Sequence, residues 1–169
     1  ARFLCGEGVS LYGSMPAAAR HPHAFPGGLA AHSLGGAQDM AGQAALESHE
    51  RDLCIGAGLL HDIGKVWSYT PDMFLNAAAR AMGHELVGLC WMERELKTLE
   101  KEWPDGAYAM RVLLSGVGRM RKDGSMPSAL VARLKAADQH SCEQERHART
   151  PSRIWAPTQW QPRVNPDEE

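Results

Sequence analysis

Cysteine is scarce in this 169-residue chain, and its four copies, Cys5, Cys54, Cys90 and Cys142, lie far apart with no C-x-x-C pair. That spacing excludes a zinc ribbon and a disulfide scaffold, and suits a reduced compartment, so a cytoplasmic location is expected. Long apolar runs are absent too. The longest clean stretch, Leu53 to Leu60, falls far short of the ~20 residues needed to span a bilayer. No basic-then-apolar opening of the signal-peptide kind is present, and no membrane partner is expected. The chain begins with Ala rather than Met, as a piece of a longer protein would. Excess charge of one sign is missing: the formal net charge is -2 and the pI is near 6.5. This excludes a global basic field for duplex DNA or anionic lipid. No Gly-x-Ser-x-Gly elbow supports serine-nucleophile chemistry. Gly56-Ala57-Gly58 follows no strand pattern and is not a dinucleotide fingerprint.

Alternating strand patterns are also lacking, whereas helical ones recur, so the expected class is all-α: a single compact helical bundle over residues 1–150, with its core at about 14–146. The first ~27 residues, rich in Gly, Ala and Pro, read as a loop or a short lead-in helix. Leu29 to about Glu47 is made of helix formers apart from three glycines. Gly35-Gly36 within it implies either a kink or close packing. Asp52 is a candidate N-cap for a helix over Leu53 to Asp62, with Gly64 as its left-handed C-terminal residue. After a loop at Ser68 to Asp72, Asn76 to about Lys101 repeats Leu86, Leu89, Met92, Leu96 and Leu99 at helical steps. Trp103 to Gly106 breaks it, and Tyr108 to Leu114 forms a shorter helix. Pro127 suits the first turn of the last helix, about Ser128 to Arg146. Residues 151–169, with four prolines, Trp155 and Trp160, read as an extended or disordered tail. Its tryptophans are expected to pack back onto the domain or onto a protein partner.

Four positions carry the chemistry: His32, the adjacent His61-Asp62, and Asp138. All are metal-ligand types. His61 and Asp62 end one helix about 100° apart around its axis, where the partial negative charge of the helix end favours a cation. His32 lies in the preceding helix and Asp138 in the last. Packed helices can aim all four at one interior point. By spacing alone, a buried His that is merely hydrogen-bonded explains each histidine as well.

The context of these residues is more specific. Leu59-Leu60-His61-Asp62-Ile63-Gly64-Lys65-Val66 resembles the signature of the HD superfamily, in its HD-x-G-K subgroup. Pro26-Gly27-Gly28-Leu29-Ala30-Ala31-His32-Ser33-Leu34 is similar to the subgroup's first motif, and Ala136-Ala137-Asp138-Gln139 to its closing Ala-Asp motif. The resemblance spans about residues 14 to 146. It implies a helical HD domain in which His32, His61, Asp62 and Asp138 bind a divalent metal: manganese, iron, nickel, magnesium or zinc. Asp62 would also orient the attacking water. His84, in Met82-Gly83-His84-Glu85, matches the Gly-His element that follows the HD motif and is expected to face the substrate. Relatives with two metals often carry a His-His pair after a Leu-Leu-Ser stretch; here Leu113-Leu114-Ser115 is followed by Gly116-Val117. One ion rather than two is therefore expected.

Lys65 either holds a substrate phosphate or is a solvated residue at a helix end. The segment Arg20-His21-Pro22-His23 resembles the histidine-rich lead-in of YhaM-type 3'-5' exoribonucleases and of TraI/MobH-type conjugative relaxases. There Arg20 and His23 either line the mouth of the pocket, contacting phosphate or base, or sit in an exposed loop. The basic stretch Arg119 to Ser125 either tracks a nucleic-acid backbone or is solvated surface. Ser141 and Cys142, one turn past Asp138, are second contacts of the site or ordinary helix positions. The implied function is a phosphohydrolase, phosphodiesterase or nuclease in type, that hydrolyses a phosphoester of a nucleotide or single-stranded nucleic acid with metal-activated water. The alternative is a weakly active or inactive metal- or nucleotide-binding module of a larger assembly, such as a conjugative DNA-transfer machine.

Overall fold

The computed structural model describes residues 7–18, 23–42, 47–70, 72–115 and 128–149. They form six α-helices: α1 Glu7–Ser14, α2 Gly28–Ala41, α3 Ser48–Leu60, α4 Ala77–Glu102, α5 Pro104–Leu114 and α6 Ala129–Arg149. A 3-10 turn, Ile63–Trp67, follows α3. Among the described residues the only β-type pairing is an isolated bridge between Tyr69 and Leu75. The all-α expectation holds, and the lead-in helix is α1. None of the helices is long and apolar enough to cross a membrane, among the described residues. Pro127, the basic stretch Arg119 to Ser125, Gly116-Val117 and the tail from Pro151 lie outside the described residues.

Helix α2 packs on α3 and α6, and α4 on α5 and the 3-10 turn. Leu29 and Met40 of α2, Cys54 and Ala57 of α3, Leu113 of α5, and Val131 and Leu134 of α6 are all nearly or fully buried, and they form one core with Met92 and Leu96 of α4. Burial of such aliphatic side chains contributes about 1.5–3 kcal/mol each. The α4 stripe read from the sequence is centred slightly off its leucines: Val87, Met92 and Leu96 are buried, while Leu86, Leu89 and Leu99 are partly exposed.

Several boundaries differ from the sequence reading. Helix α2 ends at Ala41 rather than at about Glu47, which instead caps the start of α3, and α3 ends at Leu60 rather than Asp62. Helix α3 starts at Ser48, a turn before Asp52, because the Glu50 side chain accepts the Glu47 N–H at 3.3 Å and closes the N-terminus there. Asp52 is an exposed residue inside the helix. Gly64 is not a left-handed cap; it lies inside the 3-10 turn. A Cβ at Gly64 would fall 1.8 Å from the His84 carbonyl oxygen and 2.6 Å from the Gly88 nitrogen, so its bare backbone lets α4 approach the turn. Helix α5 begins at Pro104 rather than Tyr108, since proline suits the first helical position. Only Trp103 separates it from α4.

Close packing accounts for Gly35, where a Cβ would lie 2.9 Å from Ser141 Oγ on α6, whereas one at Gly36 would make ordinary contacts. Helix α2 runs unbroken through both glycines. A Cβ at Gly36 would meet Gly58 O at 3.7 Å, and one at Gly58 would meet the Ala37 backbone at 2.7 Å. Gly58 thus lets the backbones of α2 and α3 approach closely beside His32 and His61.

Candidate metal centre

His32 projects from α2 and is buried, 2% exposed. His61 and Asp62 form the turn between α3 and the 3-10 turn, each 5% exposed. Asp138 projects from α6 with a partly exposed carboxylate. The four side chains converge. His32 Nε2 lies 3.3 Å from His61 Nε2, 3.3 Å from Asp62 Oδ2 and 3.0 Å from Asp138 Oδ1. His61 Nε2 lies 3.7 Å from Asp62 Oδ2 and 3.5 Å from Asp138 Oδ1. Donor atoms bound to one cation at about 2.0–2.2 Å, with angles between octahedral and tetrahedral, stand about 3.0–3.5 Å apart. The spacing of His32 Nε2, His61 Nε2 and Asp138 Oδ1 therefore fits a shared ion, and Asp62 Oδ2 lies beside both histidines. One ligand atom from each of His32, His61 and Asp138 lies within 4.8 Å of the other two.

The ring orientations fit as well. His61 Nδ1 lies 2.9 Å from the Gly58 carbonyl oxygen, which can only accept, so Nδ1 carries the hydrogen. Ser141 Oγ donates to the His32 carbonyl oxygen at 3.2 Å and lies 3.1 Å from His32 Nδ1. Both rings turn their Nε2 atoms inward, toward two carboxylate oxygens. Two imidazole lone pairs at 3.3 Å repel unless a proton or a cation lies between them.

The electrostatics follow from that crowding. Burial alone would lower the pKa of His32, but hydrogen bonds to Asp138 and Asp62, together with their charges, push it up to about 9. His61 is raised too: burial opposes, and the charge of Asp62 and the bond to Asp138 outweigh it. Burial would raise Asp138, yet hydrogen bonds from His32 and His61 hold it well below the usual carboxylate range. Asp62 is likewise lowered against burial, by the charges of His61 and Lys65 and by bonds from His32 and His84.

Lys65 neither swings in solvent nor caps the helix. Its Nζ lies 2.6 Å from Asp62 Oδ2, and its side chain is 16% exposed. Burial opposes its charge, and the Asp62 carboxylate more than restores it, raising the pKa. His84 Nε2 lies 3.0 Å from the other Asp62 oxygen, Oδ1, while its Nδ1 lies 3.5 Å from Glu85 Oε2. Gly83, with φ +83°, breaks the helical geometry of α4 one residue earlier and turns His84 toward Asp62. That backbone conformation strongly favours glycine.

These groups line one cleft of about 330 Å³, whose walls also include His23, Glu85 and Lys135. His23 is buried, in a left-handed conformation with φ 56°, and its ring centroid is 5.1 Å from that of His32. Of the sequence-predicted residues, His32, His61, Asp62, Asp138, Lys65, His84 and His23 come together; Arg20 lies outside the described residues. Sequence reasoning passed over Glu85 and Lys135. Glu85 is adjacent to His84, and Lys135 is one helical turn before Asp138, so the same period that pointed to Ser141 could have found Lys135.

The family model described as HD domain matches residues 29–142. Comparison with curated proteins and with solved structures gives no match.

Proposed function

The chain belongs to the HD-domain family, and from that membership we propose that it is a divalent-metal-dependent phosphohydrolase acting on a phosphoester of a nucleotide or of single-stranded nucleic acid. One observation carries the reading: two imidazole Nε2 atoms 3.3 Å apart, from separate parts of the fold, each lie within 3.0–3.7 Å of a carboxylate oxygen of Asp62 and of Asp138, in the wall of an open cleft. His32, His61, Asp62 and Asp138 would hold the ion. A divalent ion there supplies an acidified water and polarises a phosphoryl oxygen.

The chain's own groups do the rest. Asp62 uses its two oxygens differently: Oδ2 faces the histidines and Lys65, and Oδ1 faces His84. It can thus serve the ion and still accept a proton bond that orients a nucleophile. Lys65 and Lys135 add two positive charges to the cleft walls and suit the oxygens of a bound phosphate. His84 lies between Asp62 and Glu85 in the cleft wall, where it would contact a phosphate oxygen. His23 covers the His32 side and offers an aromatic face to a base or sugar.

The test is elemental analysis of the purified protein and of Asp62→Ala, followed by hydrolysis of bis(p-nitrophenyl) phosphate with added manganese, then of nucleotides and single-stranded oligonucleotides. Stoichiometric metal and turnover, both lost in the variant, support the hydrolase. Metal without turnover on any ester replaces it with a metal-binding module; no metal after incubation with manganese removes both readings.

A further inference from the structure

His61 and His32 are fixed by different devices. His61 is tied to a backbone carbonyl of its own helix, Gly58, three residues earlier. Among the described residues His32 has no such local partner; its Nδ1 reaches Ser141, 109 positions away on α6. Ser141 is 3% exposed and sits three residues after Asp138, on the same face of α6. Its hydroxyl has a single proton, and the His32 carbonyl oxygen at 3.2 Å can only accept it. The remaining lone pairs of Oγ then face His32 Nδ1 at 3.1 Å and accept its N–H. Gly35 is the counterpart of this arrangement on α2. A Cβ at position 35 would lie 2.9 Å from Ser141 Oγ and 3.5 Å from Ser141 Cβ, closer to the hydroxyl than real side chains come. The absence of a side chain at Gly35 is what leaves the hydroxyl its place.

We infer that Ser141 is a positioning residue for the metal centre: seated against Gly35, its hydroxyl holds the hydrogen of His32 on Nδ1 and so delivers the Nε2 lone pair to the ion. It acts through His32 and touches neither ion nor substrate. The inference rests on the metal-site reading above. Loss of such an outer partner lowers metal affinity by about 10- to 100-fold.

The experiment uses zinc alone as the probe, on the full chain. Zinc affinity is measured by competition with a chromophoric chelator for the wild type, Ser141→Ala and Gly35→Ala. The side-chain N–H resonances of His32 and His61 are followed by nitrogen-edited NMR of the zinc-loaded forms. Folding of each metal-free variant is checked by circular dichroism and its thermal midpoint. The expected result is one zinc on the wild type, with a protected Nδ1–H on both histidines. Ser141→Ala and Gly35→Ala then bind zinc about 10- to 100-fold more weakly, with the His32 Nδ1–H signal shifted or lost and that of His61 unchanged. A purely structural role for Ser141 would lower the thermal midpoint without singling out His32. Zinc affinity in Ser141→Ala within twofold of the wild type, or an unmoved His32 resonance, overturns the inference while leaving the metal site standing. No zinc on the wild type overturns the metal site itself. If Ser141→Ala does not fold, Gly35→Ala decides by the same two readouts, since it keeps the hydroxyl and only displaces it.

Discussion

Lys65 Nζ lies 2.6 Å from Asp62 Oδ2, the same oxygen that faces His32 and His61. One carboxylate oxygen therefore pairs with a lysine and also lies beside both histidines. Asp62→Ala leaves the Lys65 ammonium and two histidines in a largely closed site without their shared anion. Breaking a buried pair from one side costs about 3–5 kcal/mol, and the partial exposure of Lys65 places this case near the lower figure, about 3 kcal/mol. Lys65→Met costs less, because Asp62 retains His32 and His84. Urea unfolding of the metal-free proteins gives both values; equal losses would mean that the pair, rather than the wider cluster, governs stability.

Gly64→Ala places a methyl group 1.8 Å from the His84 carbonyl oxygen and 2.6 Å from Gly88 N. Both obstacles are backbone, so α4 must move away from the 3-10 turn. The expected loss is about 3 kcal/mol, at the upper end of overpacking effects, or about 6–12 °C in thermal midpoint for a chain of this length. His84 moves with α4, so its contact with Asp62 weakens as well. A thermal midpoint within about 2 °C of the wild type would show that the turn yields without strain.

The pH dependence of the metal-free protein has two edges. Asp62 and Asp138 are depressed below 3.8, so their contribution is present above that value and is lost as pH falls through their lower folded values. His32 is raised from 6.5 to about 9, so its contribution is full below pH 6.5 and is lost as pH rises through about 9. Stability should be greatest between about pH 4 and 6.5 and decline on the alkaline side. Urea midpoints at a series of pH values check this. A flat profile from 6.5 to 9 would contradict the His32 environment.

Chelation reverses the sign of that alkaline edge. A divalent ion at His32 Nε2 takes the place of the proton, so affinity rises with pH and the loaded protein keeps its stability where the apo form loses it. At free metal about 100 times the dissociation constant, the gain is about 2.7 kcal/mol, or about 5–10 °C. Thermal scans with manganese and then with excess EDTA at a pH of about 8 test this; coincident curves would mean that the folded state does not bind the ion in preference to the unfolded one.

The candidate metal cluster is legible in the sequence because its residue types are few and their neighbours distinctive: His61-Asp62 with Gly64-Lys65, and His32 behind Gly27-Gly28. The cleft also contains His84, named from the Gly-His pair. What the sequence hid depends on contacts across the chain. Gly64 resembles a helix cap locally, yet its role is set by a carbonyl on α4. Asp52 is a good cap by type, but the Glu47–Glu50 contact closes the helix earlier. Lys65 admits two roles from the sequence alone because its partner, Asp62, comes within reach only when the turn after α3 tightens to 3-10 geometry.

His32 and Ser141 are separated by 109 positions, and Asp138 shares the helix of Ser141. An ion held by His32 and Asp138 thus closes a loop comprising most of the chain. In polymer language it is a removable cross-link, and a permanent one closing about 100 residues is worth about 4.7 kcal/mol through the entropy it takes from the unfolded ensemble. Occupancy of the proposed centre through all four side chains would then report on topology, since Asp138 reaches His32 only when the last described helix has docked against the second. A nascent chain that has not yet presented Asp138 is, to the ion, an open ring.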